Sequence, residues 1–397
     1  MTPARWGRTR WGWRLPFLGV AQIVAWGTLY YAITLLSQPI AASLALTQTW
    51  VYGAFTLSLL VSGLVAPLAG RIIDAGQGRW VLSGSAVLAA LGFAWLGVAD
   101  DVFDLYGSWA LLGLAMGSGL YDAAFAVLHR GVPPADYRRA VTLLTLFGGF
   151  ASTVFWPLTS WLVEQQGWRE AAFCFAALQI SVCLGSYLVA VPPPLQLHLP
   201  VGAHKAPSVG LSPPEMRRFI ALASAFALVS FTISVLCAHL VALLGLGGLS
   251  AGEAILVGTL FGPMQVVARV IEYGCANKAR PVLVGSVSFA LLTLALAALA
   301  LGQGTLFWPV LFGLLYGAGN GLMTIIRGTV PAELFPRVTG FGGLLGRLAM
   351  PSFIAKSGAP FMFALLIDHQ VPRVVLIGTL LVTMVLAWLS YEFARRS

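Results

Sequence analysis

The chain has 397 residues, of which 58% are apolar and 9% are charged. Soluble domains carry about 25% charged residues, so this composition excludes an ordinary soluble domain and indicates a chain that is surrounded by lipid. The formal net charge of +9 would suit a nucleic acid, but the distribution of the basic residues described below excludes that partner.

Apolar stretches of about twenty residues recur along almost the whole chain, and a helix needs about that length to cross a bilayer core. Helices satisfy their own backbone hydrogen bonds, so lipid tolerates them. The hydropathy pattern therefore predicts twelve transmembrane helices. In chain order they span 15–39, 50–70, 80–98, 106–129, 140–163, 171–191, 217–244, 252–274, 281–301, 307–326, 340–367 and 374–391.

The basic residues indicate which side of the membrane each connection lies on. With the N-terminus inside, the cytoplasmic segments hold most of them, including Arg327, whereas the outer loops hold only Arg169 and Arg373. This asymmetry follows the positive-inside rule and predicts that both termini are cytoplasmic. The basic charge therefore indicates orientation and not a nucleic-acid partner.

Short motifs exclude further classes of protein. The arginine-rich start shows no small-residue cleavage site, so we expect a retained first helix and not a signal peptide. The four cysteines form no CxxC pair, so we expect neither disulfides nor a metal site. Without HExxH, GxSxG or Walker-type sequences, we expect no enzyme, no cofactor and no use of ATP. The excess of Arg over Lys favours a GC-rich bacterial genome and hence the inner membrane.

A polar stretch near the middle of the chain divides the predicted helices into two sets of six. We interpret it as a cytoplasmic linker, 192–216, between an N-terminal bundle, 1–191, and a C-terminal bundle, 217–397. Duplicated halves should repeat local patterns at one offset. Three matches occur: Gly70 to Gly76 with Ala268 to Gly274; Gly113, Gly117 and Gly119 with Gly313, Gly317 and Gly319; and Phe147-Gly148-Gly149 with Phe341-Gly342-Gly343.

The matches pair the second helix with the eighth, the fourth with the tenth and the fifth with the eleventh. Each pair lies an even number of helices apart, so the halves have the same orientation and form parallel repeats. The predicted fold is an all-α integral membrane protein with twelve transmembrane helices in two pseudo-symmetric six-helix bundles. Two such bundles can rock about a central site, which predicts transport by alternating access.

The loop after the second predicted helix reads Gly70-x-x-x-Asp74-x-Gly76-x-Gly78-Arg79. It resembles the cytoplasmic signature of the major facilitator superfamily, which implies that superfamily's fold and secondary active transport. In that reading Asp74 pairs with Arg79 or accepts hydrogen bonds from the N-terminus of a neighbouring helix. The alternative is a solvated loop with positive-inside charge. The resemblance and the repeat together imply a gating motif of Gly70, Asp74, Gly76, Arg79 and Glu272.

The eighth predicted helix contains Gln265 and Arg269, followed by Cys275-Ala276-Asn277-Lys278. This stretch resembles the region in which monocarboxylate and oxalate/formate carriers place a carboxylate-binding arginine, which implies that Arg269 clamps a carboxylate. Proton-coupled carriers have an aspartate one turn before that arginine. Gln265 stands there in this chain, and an amide does not titrate. The structural alternative is that Arg269 pairs with Glu272.

Lys356 lies near the middle of the eleventh predicted helix, between two prolines. A lysine at the centre of a membrane helix costs about 3 kcal/mol, so it usually faces a cavity or a partner. The oxalate/formate carriers are similar in placing a lysine in this helix, which implies that Lys356 binds the anion together with Arg269. The alternatives are snorkelling to the interface or a salt bridge to Asp122 or Glu272.

Two further residues inside predicted helices can titrate. Asp122 lies in the fourth helix, and a carboxylate within the membrane can carry a proton, so we expect it to couple transport to protons. A static bridge to a neighbouring helix is the alternative. His239 in the seventh helix is a second coupling candidate. The alternative is that His239 serves only in helix packing.

Trp26, Tyr30 and Tyr31 lie in the first predicted helix, which in the resembled superfamily borders the central cavity. Trp26 and Tyr30 are four residues apart and share a face, whereas Tyr31 points in another direction. Aromatic rings with polar tips suit a small organic solute, so we expect all three to contact it. The alternative is an aromatic belt at the outer interface.

The sequence therefore favours a secondary transporter for a small organic anion such as a monocarboxylate, with a proton or a counter-anion as the coupled species. One alternative is an efflux transporter for a drug or a metalloid toxicant, in which the charges only latch helices. The other is a transporter-like sensor. We expect the solute and the lipid bilayer as partners, without nucleic acid or ATP.

Overall fold

The computed structural model describes residues 11–193, 211–275, 278–302 and 305–397. Throughout these ranges the regular structure is helical, without a β-strand. The long apolar stretches account for this, because in lipid a backbone N–H finds an acceptor only within its own helix. The chain groups into two compact units.

The first unit contains Met1–Val209 together with Val338–Met350. Its own six helices are Leu15–Tyr31 with Ile33–Ser43 (α1), Gln48–Ile72 (α2), Gly78–Gly97 (α3), Val102–Gly119 with Tyr121–Gly131 (α4), Pro134–Gly149 with Ala151–Gln166 (α5) and Trp168–Ala190 (α6). Two of these helices contain π-turns, at Gly27–Tyr31 in α1 and at Gln179–Leu184 in α6. The two parts of α1 meet at an angle of 42°.

The second unit contains Gly210–Arg337 and Pro351–Ser397. The remaining helices are Pro213–Gly245 (α7), Ala251–Thr259 with Phe261–Cys275 (α8), Pro281–Leu301 (α9), Phe307–Leu334 (α10), Phe341–Asp368 (α11) and Arg373–Arg396 (α12). Capping boxes begin two of them, since Ser212 pairs with Glu215 at the start of α7 and Ser250 with Glu253 at the start of α8.

The number of membrane crossings depends on one glycine. In the described ranges ten continuous helical stretches are long and apolar enough to cross a membrane, and the bent α1 adds an eleventh. One of the ten, Gln48–Gly97, has 50 residues and would extend about 75 Å, more than twice the bilayer core. Gly76 interrupts it with a φ of 91°, which glycine adopts without the strain of a Cβ. The stretch is therefore two crossings, α2 and α3, which brings the described helices to the predicted twelve.

α10 extends further than the sequence predicts. It continues to Leu334 instead of ending at residue 326. Arg327 therefore lies inside α10, and its expected place on the cytoplasmic side stays a prediction. Its Nη1 donates to Ser230 Oγ of α7 at 3.1 Å, and its guanidinium lies 5.8 Å from the ring centroid of Phe226. A partner on a neighbouring helix allows an arginine to remain within the bundle.

Glycines at matched positions bring helix pairs together in both units. A Cβ on Gly117 of α4 would lie 2.6 Å from the carbonyl oxygen of Ser62 in α2. A Cβ on Gly317 of α10 would lie 2.9 Å from the carbonyl oxygen of Phe261 in α8. Small residues allow such close approach of membrane helices. The internal repeat in the sequence thus corresponds to a repeated packing contact, α2 with α4 and α8 with α10.

The predicted linker, 192–216, lies largely outside the described residues, so the division into 1–191 and 217–397 stays a prediction. One difference is visible, because Val338–Met350, with the start of α11, groups with the first unit. Here α11 packs closely on α2, with Gly342 against the backbone of Gly70 and Gly346 against the backbone of Ala66.

Candidate functional site

The turn between α2 and α3 holds the start of α11 through Asp74. The Asp74 Oδ1 accepts a hydrogen bond from the Gly342 N–H and its Oδ2 accepts one from the Gly343 N–H, both at 2.7 Å. The first N–H groups of a helix have no partner within it, and a negative charge there interacts favourably with the helix dipole. Of the two partners that the sequence offers for Asp74, the structure shows the N-terminus of a neighbouring helix.

The cation beside this turn is Arg130 and not Arg79. Arg130 Nη1 donates to the Asp74 main-chain carbonyl at 2.6 Å, and the Arg130 charge also acts on the Asp74 carboxylate. Within the described residues Arg79 makes no hydrogen bond to Asp74, and its guanidinium lies 6.0 Å from the ring centroid of Trp80. Arg130 covers the turn closely, since a Cβ on Gly76 would lie 3.3 Å from its Nη2. The predicted pairing of Asp74 with Arg79 is therefore replaced by contacts with Arg130.

The other two predicted gating residues lie in different settings. Gly70 faces the backbone of Gly342, where a side chain would not fit. Glu272 lies within α8 and is 3% exposed, whereas Asp74 lies in a turn after α2. The match between Asp74 and Glu272 therefore holds in the sequence but not in the local structure.

Arg269 of α8 is 2% exposed and reaches α10. Its Nη2 donates to Gln265 Oε1 at 3.1 Å and to Thr324 Oγ1 at 3.3 Å. Its Nε donates to the Gly321 carbonyl at 3.4 Å. The structure therefore brings the predicted residues Gln265 and Arg269 together and adds Thr324. A guanidinium has five N–H donors in one plane, and these contacts orient that plane.

Lys356 lies in the part of α11 that belongs to the second unit, and it is half-buried. Its Nζ lies 5.6 Å from the ring centroid of Phe353, within the range of a cation–π contact. The Lys356 charge acts on the Cys237 thiol of α7, and that thiol also interacts with the Tyr316 side chain of α10. Lys356 is therefore close to Cys237 of α7.

A proline explains how α7 binds this part of α11. Pro360 has no N–H, so the Lys356 carbonyl loses the donor that a regular helix would supply. The Ser234 hydroxyl of α7 donates to that carbonyl at 2.9 Å. One turn further on, His239 Nε2 lies 2.9 Å from the Pro360 carbonyl, which can only accept a hydrogen bond. His239 therefore contacts α11, an arrangement that agrees with the packing role considered for it.

The three aromatic residues of α1 form one cluster. The ring centroid of Trp26 lies 5.4 Å from that of Tyr30 and 6.3 Å from that of Tyr31. The expectation that Tyr31 points elsewhere is wrong, because the π-turn closes with a bond from the Ala32 N–H to the Gly27 carbonyl and adds a residue to the turn. Other rings at 4.9 to 6.4 Å extend the cluster: Tyr121 beside Trp26, Phe55 beside Tyr30 and Trp156 beside Tyr31.

α4 is broken next to this cluster. Leu120 has an extended backbone, with φ of −79° and ψ of −168°, so the Gly119 carbonyl loses its partner within the helix. Gln22 of α1, which is 0% exposed, donates from its Nε2 to that carbonyl at 2.8 Å. A buried amide thus stabilises a break within the membrane-spanning helix.

Asp122 lies in the first turn of the helical segment after the break and is half-buried. In the described part of the chain its carboxylate makes neither a hydrogen bond nor a salt bridge. Its charge acts on Tyr137 of α5. A carboxylate in the first turn of a helix interacts favourably with the helix dipole.

A second buried amide connects the two π-turns. Gln179 Nε2 of α6 donates to Thr28 Oγ1 of α1 at 2.8 Å, and both side chains are buried. The Thr28 hydroxyl in turn donates to the Val24 carbonyl at 2.8 Å. Gln22 and Gln179 are not among the residues predicted from the sequence. An amide within an apolar helix is a pattern from which both could have been predicted.

The fold and these contacts can be compared with known proteins. The sequence profile described as Major Facilitator Superfamily matches residues 17–353. The chain belongs to the major facilitator superfamily. The resemblance carried by the Asp74 loop is thereby confirmed, together with the all-helical fold.

Relatives of this superfamily member are distant. An "Uncharacterized 38 kDa protein in 23S RNA operon" of Thermoproteus tenax is 28% identical over 263 residues, which are 65% of each chain. An oxalate:formate antiporter of Oxalobacter formigenes is 28% identical over 155 residues, which are 39% of this chain and 36% of the antiporter. The chain thus spans less than two thirds of the length of either relative. The crystal structure of the human organic anion transporter MFSD10 (TETRAN) aligns with 98% of this chain and with 100% of its own length. The TM-score is 0.71 and the sequence identity is 17%, so the likeness is one of fold.

Membership of the superfamily settles the class of protein. The chain is a multi-pass membrane protein of a superfamily of transporters. Of the two predicted cations, Arg269 contacts α10 and Lys356 lies near Cys237 of α7. Among the remaining candidates, the aromatic cluster and Asp122 lie in the first unit and His239 lies in the second.

Proposed function

We propose that this transporter carries a small organic anion, such as a monocarboxylate, by alternating access between two six-helix bundles, 1–191 and 217–397. The observation that carries the proposal is the buried guanidinium of Arg269 within the membrane-spanning region. Placing an arginine in a membrane helix costs free energy, and arginines in such places commonly serve substrates or ions. Binding of a carboxylate gives the charge of Arg269 a function.

The contacts of Arg269 prepare it for this role. Gln265, Thr324 and Gly321 each accept a hydrogen bond through an oxygen atom, so they fix the plane of the guanidinium. A guanidinium held in one orientation carries a fixed positive charge, which attracts and orients a carboxylate beside it. Gln265 thus orients Arg269. Because Gln265 is neutral, it does not repel an anion as an aspartate at the same position would.

Lys356 is the proposed second anchor. Its ammonium group adds a positive charge and three N–H donors, which can rotate toward an anion. The Cys237 thiol lies near it and offers a neutral polar group. The oxalate:formate antiporter, named for two carboxylates, supports an anionic substrate through its 28% identity to part of this chain.

The proposed coupled species is a proton, carried by Asp122, or a counter-anion. Asp122 is a carboxylate in a membrane-spanning helix, and Tyr137 of α5 is the titratable group with which it interacts. Since Gln265 does not titrate, Asp122 is the acidic residue best suited to bind a proton. His239 is less suited, because its Nε2 is held by the Pro360 carbonyl.

The proposed location is a bacterial inner membrane, with both termini in the cytoplasm. The support is the excess of Lys and Arg in the segments assigned to the inside. Reporter fusions after residue 43, which follows α1, and after residue 131, which follows α4, test the orientation. An outward-active reporter should work after 43 and fail after 131 if the N-terminus is inside, and the reverse pattern contradicts the proposal.

Uptake into proteoliposomes tests the anion proposal directly. Radiolabelled butyrate should enter wild-type vesicles, and Lys356→Ala should abolish saturable uptake while the protein keeps its unfolding temperature. Lys278→Ala removes a lysine outside the membrane-spanning segments and should leave uptake unchanged. Uptake that is equal in wild type and Lys356→Ala removes Lys356 from the site.

A thiol next to Lys356 provides a second readout. In a Cys275→Ser background, which removes the other exposed cysteine, maleimide should label Cys237. Carboxylate at saturating concentration should slow this labelling if the anion binds beside Lys356. Labelling that ignores every carboxylate argues against an anion at this place.

The alternative function is efflux of a hydrophobic cation. The aromatic cluster and the Asp122 carboxylate of the first unit favour it, because aromatic faces and a carboxylate attract cations. A transporter whose unfolding temperature rises with hydrophobic cations and ignores millimolar carboxylates would support efflux and contradict the anion proposal. Binding without counterflow would instead support a transporter-like sensor.

A further inference from the structure

A groove runs between α8 and α9 of the second unit, and both helices pack on α10. Its volume is about 320 Å³, and α10 forms its floor. Both α8 and α9 are long and apolar enough to cross a membrane, so their exposed apolar side chains lie against hydrocarbon. The walls carry four apolar side chains that are 45 to 61% exposed: Val267 and Ile271 of α8, and Leu283 and Val287 of α9.

The groove has the length of one lipid leaflet. On α8 it extends from Met264 to Cys275, which is about 16 Å along the helix axis. Half of a bilayer core measures about 15 Å. Cys275 is the last residue of α8, so the groove begins at the membrane surface and ends near the midplane. A flexible acyl chain that fills it gains dispersion contacts that an unfilled groove lacks.

Two basic residues stand at the surface end of the groove. Ala279, which lines the groove, lies between Lys278 and Arg280 in the short connection from α8 to α9. The Lys278 N–H and the Ala279 N–H both donate to the Cys275 carbonyl, at 2.8 and 3.2 Å, so the connection folds back onto the end of α8. Lys278 is exposed, and the Arg280 side chain is 73% exposed. Both can reach a phosphate group at the membrane surface.

Two carboxylates lie close to this end and leave its exposed charge mainly positive. Glu333 of α10 accepts hydrogen bonds from Arg280 Nε at 2.7 Å and from the Val282 N–H at 3.0 Å. A guanidinium has five N–H donors, so Arg280 can bind Glu333 and a phosphate at the same time. Glu272 lines the groove but is 3% exposed, so it presents almost no charge to a lipid.

We propose that one anionic phospholipid binds in this groove, with an acyl chain against α8, α9 and α10 and its phosphate on Lys278 and Arg280. The acyl chain matches the groove in length and in its apolar lining. The headgroup matches the surface end in charge, because basic residues next to a membrane span attract anionic lipids. This site binds a lipid and not the transported solute, and its test is separate from that of the proposed function.

Native mass spectrometry of the transporter in detergent counts the bound lipids and gives a dissociation constant for each lipid. One probe is dioleoylphosphatidylglycerol, which is anionic. The other is dioleoylphosphatidylcholine, which has the same acyl chains and no net charge. We expect one phosphatidylglycerol molecule to bind about tenfold more tightly than phosphatidylcholine, because each basic residue near the surface contributes about a factor of five. Equal affinity for the two lipids overturns the inference.

Separate variants test the two ends of the groove. Lys278→Gln should weaken the binding of phosphatidylglycerol about fivefold and leave that of phosphatidylcholine unchanged. Val287→Trp narrows the groove from its exposed wall and should weaken the binding of both lipids alike. Ala318→Phe, which fills the floor of the groove, should have the same effect. Unchanged affinities in Lys278→Gln, or in both groove variants, overturn the inference.

Matched controls lie away from the groove. Arg396→Gln removes a charge at the end of α12, where the side chain is 74% exposed. Ala94→Phe fills a second groove, between α3 and α6, whose described lining is entirely apolar. Both controls should keep the wild-type affinities, and the unfolding temperature of every variant shows whether it is folded. An equal loss of affinity in the controls would mean that lipid binds to the surface in general, and it overturns the inference.

Discussion

Arg169 and Arg373 make equivalent connections within their two units. Each lies at the start of the last helix of its unit, Arg169 in α6 and Arg373 in α12, and each binds the ends of two earlier helices. Arg169 donates to the Ala99 carbonyl just after α3 at 2.7 Å and to Ser43 Oγ at the end of α1 at 2.9 Å. It also forms a salt bridge with Asp100 at 2.9 Å.

Arg373 repeats this pattern on carbonyl groups. It donates to the Leu299 carbonyl at the end of α9 at 2.7 Å, to the Gly302 carbonyl at 2.9 Å and to the Leu243 carbonyl near the end of α7 at 3.4 Å. These contacts pair α1 with α7, α3 with α9 and α6 with α12, so they extend the repeat to helices that show no sequence match. They also explain why the two arginines occur in predicted outer loops, against the positive-inside rule.

Replacing these arginines should affect stability unequally. Arg373 is 9% exposed and donates to main-chain carbonyls, so Arg373→Ala should lower the free energy of unfolding by about 2 to 3 kcal/mol. Arg169 is more exposed and part of its binding is a surface salt bridge, so Arg169→Ala should cost about 1 kcal/mol. Unfolding in mixed micelles measures both, with Arg396→Ala as an exposed control. Equal losses at the two positions would show that burial does not control how much each arginine contributes to the free energy of unfolding.

Asp74 should matter through its charge and its two acceptor atoms. In Asp74→Asn one oxygen becomes an NH₂ group that faces a backbone N–H, so one hydrogen bond at 2.7 Å is lost and the charge at the start of α11 disappears. We expect a loss of about 2 kcal/mol in the free energy of unfolding.

Asp136→Asn is the matched control for Asp74, because Asp136 follows α4 on the same side of the membrane and its side chain makes no hydrogen bond among the described residues. It should change stability by less than about 0.5 kcal/mol. A double-mutant cycle with Arg130→Ala should show coupling to Asp74, whereas a cycle with Arg79→Ala should not. Coupling to Arg79 alone would restore the pairing that the sequence predicts.

The sequence predicts the twelve crossings because hydropathy is a property of each segment by itself. For Asp74 it offers two partners, Arg79 or the N-terminus of a neighbouring helix, and the structure shows the second. The sequence does not predict Arg130 as the partner. That contact depends on the left-handed turn at Gly76, which determines the side chain that covers the loop.

The aromatic cluster shows the same limit of prediction from sequence, here within a single helix. Regular helical spacing separates Tyr31 from Trp26, but the π-turn rotates Tyr31 into the cluster. The break at Leu120 is equally local, and it gives Gln22 a partner that no periodicity would indicate. Deviations from regular helix geometry therefore account for most of what the sequence analysis misses at the candidate site.

Helix contacts at glycine give a prediction that is independent of any substrate. A Cβ on Gly117 would lie 2.6 Å from the Ser62 carbonyl, so Gly117→Ala should push α4 from α2 and cost about 1 to 3 kcal/mol. Gly317→Ala should behave alike at the α8/α10 contact. Gly84 of α3 has no atom within 4 Å of the added Cβ, so Gly84→Ala should stabilise by about 0.5 to 1 kcal/mol. A similar loss of stability in all three variants would mean that the space around each glycine does not determine the change in the free energy of unfolding.

Asp122 provides the test of coupling. If its carboxylate carries the proton, Asp122→Asn should abolish the stimulation of uptake by a pH gradient, because an amide does not titrate. Exchange of labelled for unlabelled solute at equal pH should persist, since it needs no net proton movement. Asp136→Asn, which also removes one carboxylate of the first unit, should keep both activities. Loss of gradient-driven uptake and exchange together would indicate that Asp122 supports the helix segment after Leu120, and retention of both would assign coupling to a counter-anion.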